Sequence, residues 1–382
     1  MLVCVPWFEP ARAFGGTVAT AYAAANGALE AGHEVTVATT DVLDHRSRVP
    51  PGAPTGLEGA PVVRFRNVSH RLAATNVPQP RGLRSWLREN VRAFDVVLLL
   101  DVYSSVSVLG ARAARRARVP YVLEALGTLP ATRERGRALA KRGFLALWGR
   151  RTVREAAACL YLSEAEREEY LAQGAEPGRL HPMTVPLDLP EHQEVPRAAA
   201  PTVLHVGQLH PIKRIDVLID AFARVHAALP EARLEIVGAP SRHGEALQER
   251  VRRLGLDSAV VFRGFVPEAD KPRVLSEAHV FALLSAGEGV PIAPLEALAC
   301  ATPVVLSPEC GLQEVDGIAG IVCDGSAEGA AEALLALLRD PVRARALGEA
   351  GHKLAAAYRH DVVVPELVAL LERVASSSSS AA

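Results

Sequence analysis

No stretch of the 382-residue chain approaches the ~20 consecutive apolar residues that a membrane-crossing helix needs, although 49% of its residues are hydrophobic. Charge of neither sign prevails. The 42 basic and 43 acidic residues leave a net charge of −1, which argues against a nucleic-acid protein at the level of the whole chain and leaves room for local basic patches. Cysteines are few, at 4, 159, 300, 310 and 323, and show no C-x-x-C or zinc-finger spacing. Each lies in or beside an apolar segment, so buried free thiols in a reducing cytoplasm are expected. No D-x-D triplet and no H-x-x-x-H pair occurs, so no metal site is expected. The chain has no G-x-G-x-x-G, which weighs against a dinucleotide oxidoreductase, and no G-x-S-x-G hydrolase elbow. It opens on MLVCVP without a charged leader or cleavage site, and the expected location is cytoplasmic.

Against these absences stands a repeated alternation of apolar runs and helical spacings. Strands are expected at Leu2–Val5, Glu34–Thr39, Val62–Phe65, Asp95–Leu100, Tyr121–Leu123 and Cys159–Leu162, with a long excursion from Asp41 to Ala60. Residues 190–201 (PEHQEVPRAAAP) carry three prolines and no periodicity, and 191–200 is read as a linker. The pattern then restarts, with strands at Thr202–Val206, Arg233–Val237, Ala259–Phe262, His279–Leu284, Pro303–Leu306 and near 321. Such alternation predicts α/β architecture, two Rossmann-like β/α/β domains with parallel sheets and a cleft between them. The domains are placed at 1–190 and 201–358. Residues 376–382 read as a disordered tail.

The most informative stretch is Ser285–Thr302, SAGEGVPIAPLEALACAT. Glu288 falls in a loop with Gly287, Gly289, Val290 and Pro291, between an expected strand and an expected helix. That helix is read as starting near Pro294, since proline suits a first helical position, with Glu296 in its first turn. A loop at the carboxyl end of a parallel strand is where open α/β proteins bind ligands, and a helix N-terminus attracts anions.

Glu288 and Glu296 are separated by seven residues, and the loop, LEALAC helix and PVV strand surround them. This segment resembles that of the retaining GT-B glycosyltransferases of family four, the group 1 enzymes. The resemblance implies a nucleotide-diphosphate sugar as donor, retention of anomeric configuration, and no metal or other cofactor. It implies that Lys213, in GQLHPIKR after the first strand of the second domain, holds the donor diphosphate and stabilises the leaving group. Gln208 stands where the family has an arginine. Glu296 is implied to accept the ribose hydroxyls, and Glu288 to lie beside the transferred sugar, so Lys213 and Glu288 are the catalytic candidates. Gly289, Val290, Pro291 and Ile292 are implied to line the donor. Gly15 and Gly16, at the turn after the first strand, are implied to let the backbone approach the donor. Phe265 and Val266 are implied to meet the base. The final helix, 359–375, is implied to return to the first domain.

Two positions depart from the family. Leu126, in EALGTLP, stands where relatives often carry a histidine beside the sugar. Ala301 follows the helix where glycine is usual; in a left-handed conformation it would cost on the order of 1 kcal/mol. Three readings stay open. One is an enzyme acting on a polysaccharide, lipid-linked glycan or small-molecule acceptor. Another is a weak or inactive nucleotide-sugar-binding homologue serving as a partner subunit. The third is a related epimerase or phosphorylase. The basic stretch 133–154, with Leu139, Phe144, Leu145, Leu147 and Trp148 interleaved, suits either a solvated helix face or peripheral contact with an anionic membrane.

Overall fold

The computed structural model describes all residues except 15, 45, 55, 74–77, 130–141, 289–290 and 380–382. It divides into two compact units, one of Met1–Leu187 with His360–Ala382 and one of Asp188–Arg359.

The first unit is built on a seven-stranded parallel sheet: β1 (Leu2–Cys4), β2 (Thr36–Thr40), β3 (Val62–Phe65), β4 (Val97–Leu100), β5 (Tyr121–Glu124), β6 (Ala158–Tyr161) and β7 (Leu180–Pro182). The order is β3-β2-β1-β4-β5-β6-β7, with Leu2 in register with both Thr36 and Val97. Strands buried on both faces can be apolar throughout, and β4 (VLLL) is buried at every position. Its side chains alternate: Leu98 and Leu100 join the core under the Gly16–Glu30 and His360–Ser379 helices. Val97 and Leu99 join the core under the Leu83–Asn90 and Ser105–Ala117 helices. Gly27 lets the His360–Ser379 helix close onto the Gly16–Glu30 helix, since a Cβ at 27 would overlap Val364.

The second unit carries a six-stranded parallel sheet: β8 (Thr202–Val206), β9 (Arg233–Val237), β10 (Val260–Gly264), β11 (Val280–Leu283), β12 (Val304–Leu306) and β13 (Gly320–Val322), in the order β10-β9-β8-β11-β12-β13. The strand order reverses between β8 and β11, which makes their carboxyl ends the switch point of this sheet. The five cysteines are buried and free. Burial pushes the Cys4 and Cys159 thiols up to about 12, so they remain protonated and inert.

The structure corrects four expectations. The stretch read as a linker is fastened to the second unit: Ala198 N–H donates to Glu277 O, and Arg197 reaches Ala278 O, Ala301 O and Thr302 Oγ1. The tail read as disordered is helical through Ser379, with Ser376 Oγ and Ser377 Oγ bonded to the preceding turn. The sheet of the first unit has an additional edge strand, β7, whose sequence LHP carries no apolar signal. The helix read as starting near Pro294 begins at Ile292, with Pro291 as its N-cap. Pro294 is then the third helical residue, still within the first turn where an N–H has no intrahelical partner. Glu296 sits in the second turn.

Candidate functional site

The carboxyl ends of β8 and β11 bring Lys213 and Glu288 together. After β8 the chain turns through Gly207 and Gln208 into a 3-10 turn, Pro211–Lys213, whose N-terminus is capped by His210 Nδ1. After β11 it runs through Ser285 to Glu288. The two loops are tied together: Ala286 N–H donates to Ile212 O at 2.8 Å and Ser285 Oγ to Ile212 O at 3.0 Å. Ser307, beyond β12, donates to Ser285 O at 2.7 Å, and Glu288 N–H donates to Glu309 O at 3.1 Å. Within this frame Lys213 Nζ sits 2.8 and 2.9 Å from the two oxygens of Glu288, in the second unit's switch point. Both side chains are largely buried, at 22% and 10% exposed.

Below them on β8 lies His205, fully buried, its Nδ1 donating to Ala282 O at 3.0 Å. Burial first, and then the Lys213 charge, lowers its pKa to about 4. It is therefore a neutral acceptor at Nε2, which no described group satisfies.

Glu296 does not join the Lys213 pair. Its carboxylate, buried on the Ile292–Ala299 helix, lies 3.1 Å from Lys271 Nζ. Lys271 also pairs with exposed Glu268 at 2.9 Å. Burial pushes Glu296 above the usual carboxylate range, and the Lys271 charge offsets part of this. Burial alone would pull Lys271 down, but its two carboxylates, Glu296 foremost, raise it. Lys271 was not legible as a site residue, because 25 positions separate it from Glu296 in the chain. The only local signal is the i,i+3 spacing with Glu268, common on any helix.

Gln208 is exposed just before the Lys213 turn, and Pro291 and Ile292 open the helix that carries Glu296. Phe265 follows β10 and is 69% exposed, with Val266 half-buried beside it. Gly16 belongs to the first unit, where it begins the Gly16–Glu30 helix, and a Cβ there would meet nothing within 4 Å. Gly15, Gly289 and Val290 lie outside the described residues. Leu126 is 7% exposed in the apolar core of the first unit, at φ 55°, and Gly127 follows at φ 71°. Nearby Glu124 is fully buried and neither of its oxygens has a described partner. Burial, then the charge of Glu166, raises its pKa to about 8. Among the described residues no group of His, Cys, Asp and Glu could hold a metal ion.

Comparison with known proteins bears on the family and the fold of the chain. A glycosyl transferase 4-like domain matches residues 15–186, and a glycosyl transferases group 1 domain matches residues 200–340. The D-inositol 3-phosphate glycosyltransferase of Kribbella flavida is 32% identical over 227 residues, 53% of this chain and 54% of that protein. The GDP-mannose-dependent alpha-(1-6)-phosphatidylinositol monomannoside mannosyltransferase of Mycolicibacterium smegmatis is 37% identical over 161 residues, 40% of this chain and 42% of that one. The chain thus spans about half the length, or less, of the curated relatives it matches. Among solved structures, Anabaena HepE in complex with UDP aligns with a TM-score of 0.76 at 18% identity, covering 97% of this chain and 99% of that one. Sucrose-phosphate synthase from Thermosynechococcus elongatus aligns at 0.66 and 21% identity, covering 92% of each chain. At such identities the structures establish the fold, two parallel-sheet α/β domains of the GT-B kind. The chain belongs to the group 1 glycosyltransferases.

Proposed function

We propose that this chain transfers a sugar from a nucleotide-diphosphate sugar to a hydroxyl-bearing acceptor, with retention of anomeric configuration and without a metal. The observation that carries the reading is the Lys213–Glu288 pair at the switch point of the second sheet, in a chain of this family. In this reading Lys213 exchanges its contact with Glu288 for the donor diphosphate and neutralises the charge that builds up as the sugar leaves. Gln208 donates an amide N–H to the same group, a weaker bond than the charge-assisted one an arginine would form. The first turn of the Ile292–Ala299 helix offers free backbone N–H groups. Glu296 accepts the ribose hydroxyls, and the backbone around Phe265 and Val266 meets the base. Glu288, once released, lies beside the transferred sugar. The acceptor hydroxyl attacks on the face the diphosphate leaves, the sugar–diphosphate bond breaks, and the hydroxyl proton passes to the leaving diphosphate oxygen. The acceptor is a polysaccharide, a lipid-linked glycan or a small molecule. Relatives whose names specify inositol phosphate or phosphatidylinositol mannoside acceptors make polyol and lipid-linked acceptors the first to try. Free buried thiols suit a reducing cytoplasm as the site of reaction.

A second reading, a nucleotide-sugar-binding homologue without turnover, draws on two residues. Gln208 removes one cationic group from the diphosphate site. Leu126 is packed into the core of the first unit, where it can neither donate to a sugar hydroxyl nor stabilise charge.

The test is product formation from UDP- and GDP-sugars over an acceptor panel with EDTA present, the anomeric configuration read by NMR. Retained product without metal supports the transferase. An inverted product, or a requirement for a divalent ion, contradicts it. Donor binding without turnover on any acceptor selects the second reading.

A further inference from the structure

Helices Leu83–Asn90 and Ser105–Ala117 and the segment Leu145–Arg154 share one core on one face of the first sheet. Leu83 and Leu87, Ala111 and Ala114, and Leu145 and Val153 all belong to it. Because their inner sides meet in that core, their outer sides form one surface, and its composition is unlike that of the chain as a whole.

Between the first two helices runs a groove of about 160 Å³. Arg84, Arg88 and Arg92 recur at four-residue intervals along one wall, and Arg112 and Arg116 along the other. Its floor is apolar: Val91, Leu109, Ala113 and Ala117. All five arginines are exposed, and among the described residues none of them has an ion-pair partner. The sequences of the two helices contain one acid, Glu89. The nearby Glu155 is already engaged, at 2.8 Å from Arg115 and 2.9 Å from Arg151. So many uncompensated arginines in a chain of net charge −1 mark a strongly asymmetric charge distribution. Farther along the same surface, Leu147 is 69% exposed and Trp148 is 41% exposed. Trp148 keeps one side on Phe144, at 5.5 Å between ring centroids. A large aliphatic and an indole exposed in this way, followed in sequence by Arg150 and Arg151, are side chains that settle at the boundary of headgroups and acyl chains.

We propose that this surface docks the protein on an anionic lipid bilayer. The five groove arginines take headgroup phosphates, and Leu147 and Trp148 enter the interface. A soluble polyanion would use the arginines but leave Leu147 and Trp148 without a role, which is why the bilayer is the occupant argued for. Of the basic stretch 133–154, residues 133–141 lie outside the described residues and carry no part of the proposal, whose arginines are those of the groove between the two helices. The proposal does not depend on the donor reading.

The test is co-sedimentation of the full chain with vesicles of phosphatidylglycerol and phosphatidylcholine, against phosphatidylcholine alone. Binding is expected only with the anionic lipid and is expected to weaken as salt is added. Arg88→Glu/Arg112→Glu/Arg116→Glu is expected to lower vesicle affinity on the order of a hundredfold or more. Trp148→Ala is expected to weaken it with no change in salt dependence. Should the triple reversal fail to fold, Arg88→Gln/Arg112→Gln carries the same test with smaller losses. Equal binding to neutral vesicles, or a folded variant of either kind that binds as the parent does, overturns the proposal. Arginine-dependent binding of inorganic polyphosphate with no vesicle binding also overturns it and makes the groove a site for soluble anions.

Discussion

Lys271 holds one oxygen of a carboxylate that burial alone would drive toward its protonated form. On the proposed donor reading, Glu296 accepts the ribose hydroxyls as a carboxylate, which makes Lys271, the cation that offsets its burial, a positioning residue. Lys271→Met is expected to raise the pKa of Glu296 further and to weaken nucleotide affinity about tenfold at pH 6, with partial recovery at pH 8. Calorimetric titration at the two pH values checks this; an equal loss at both would reduce Lys271 to a packing role. A second buried acid behaves differently. The Glu124 carboxyl, raised to about 8 from 4.5, keeps a proton that the unfolded chain has released. Between those two values the folded state therefore binds more protons, so stability falls as pH rises, by roughly 1.4 kcal/mol per unit at most. Above about pH 8 no further loss follows. Glu124→Gln is expected to flatten that slope, so its Tm gains on the parent's between pH 5 and 8. Parallel Tm curves would contradict the assignment. Neither feature was legible in the sequence: one depends on a contact across the chain, the other on a depth of burial that EALGTLP does not reveal.

The Ile292–Ala299 helix ends in a Schellman turn. Ala301 N–H donates to Leu298 O and Thr302 N–H to Ala297 O, both at 2.9 Å, with Ala301 at φ 55°. The sequence raised the cost of alanine here as a condition, and the left-handed φ meets it. Ala301→Gly is expected to stabilise the second unit by roughly 0.5–1 kcal/mol, measured as a higher urea midpoint at unchanged slope. Gly27 presents the opposite case. Gly27→Leu is expected to destabilise the first unit by roughly 1–3 kcal/mol, because the Val364 side chain already fills the space. An unchanged midpoint would mean that the His360–Ser379 helix shifts without cost. Elements such as β4 and β11 could be read from sequence because strands buried on both faces need continuous apolar runs. β7 could not, because a short edge strand can be polar. The start of the Ile292–Ala299 helix was misplaced by two residues because proline is tolerated through the whole first turn, not only at its first position.

At the scale of the whole chain, each unit is a parallel sheet whose strand order reverses once, between β1 and β4 in the first and between β8 and β11 in the second. Lys213 and Glu288 are carried by the loops after β8 and β11, at the reversal of the second sheet, so their joint position follows from topology rather than from nearness in sequence. That is why the motif around Glu288 could be recognised while its bidentate contact with Lys213, across 75 positions, could not. In the proposed function that pair and Glu296 serve one nucleotide-sugar site. The most direct test is a calorimetric titration of the full chain with UDP, GDP, ADP and TDP, repeated with Lys213→Ala and Glu296→Ala. Tight binding of one nucleotide, weakened tenfold or more in each variant, is the predicted result. No binding of any of the four at millimolar concentration, or binding that both variants retain, would contradict the site.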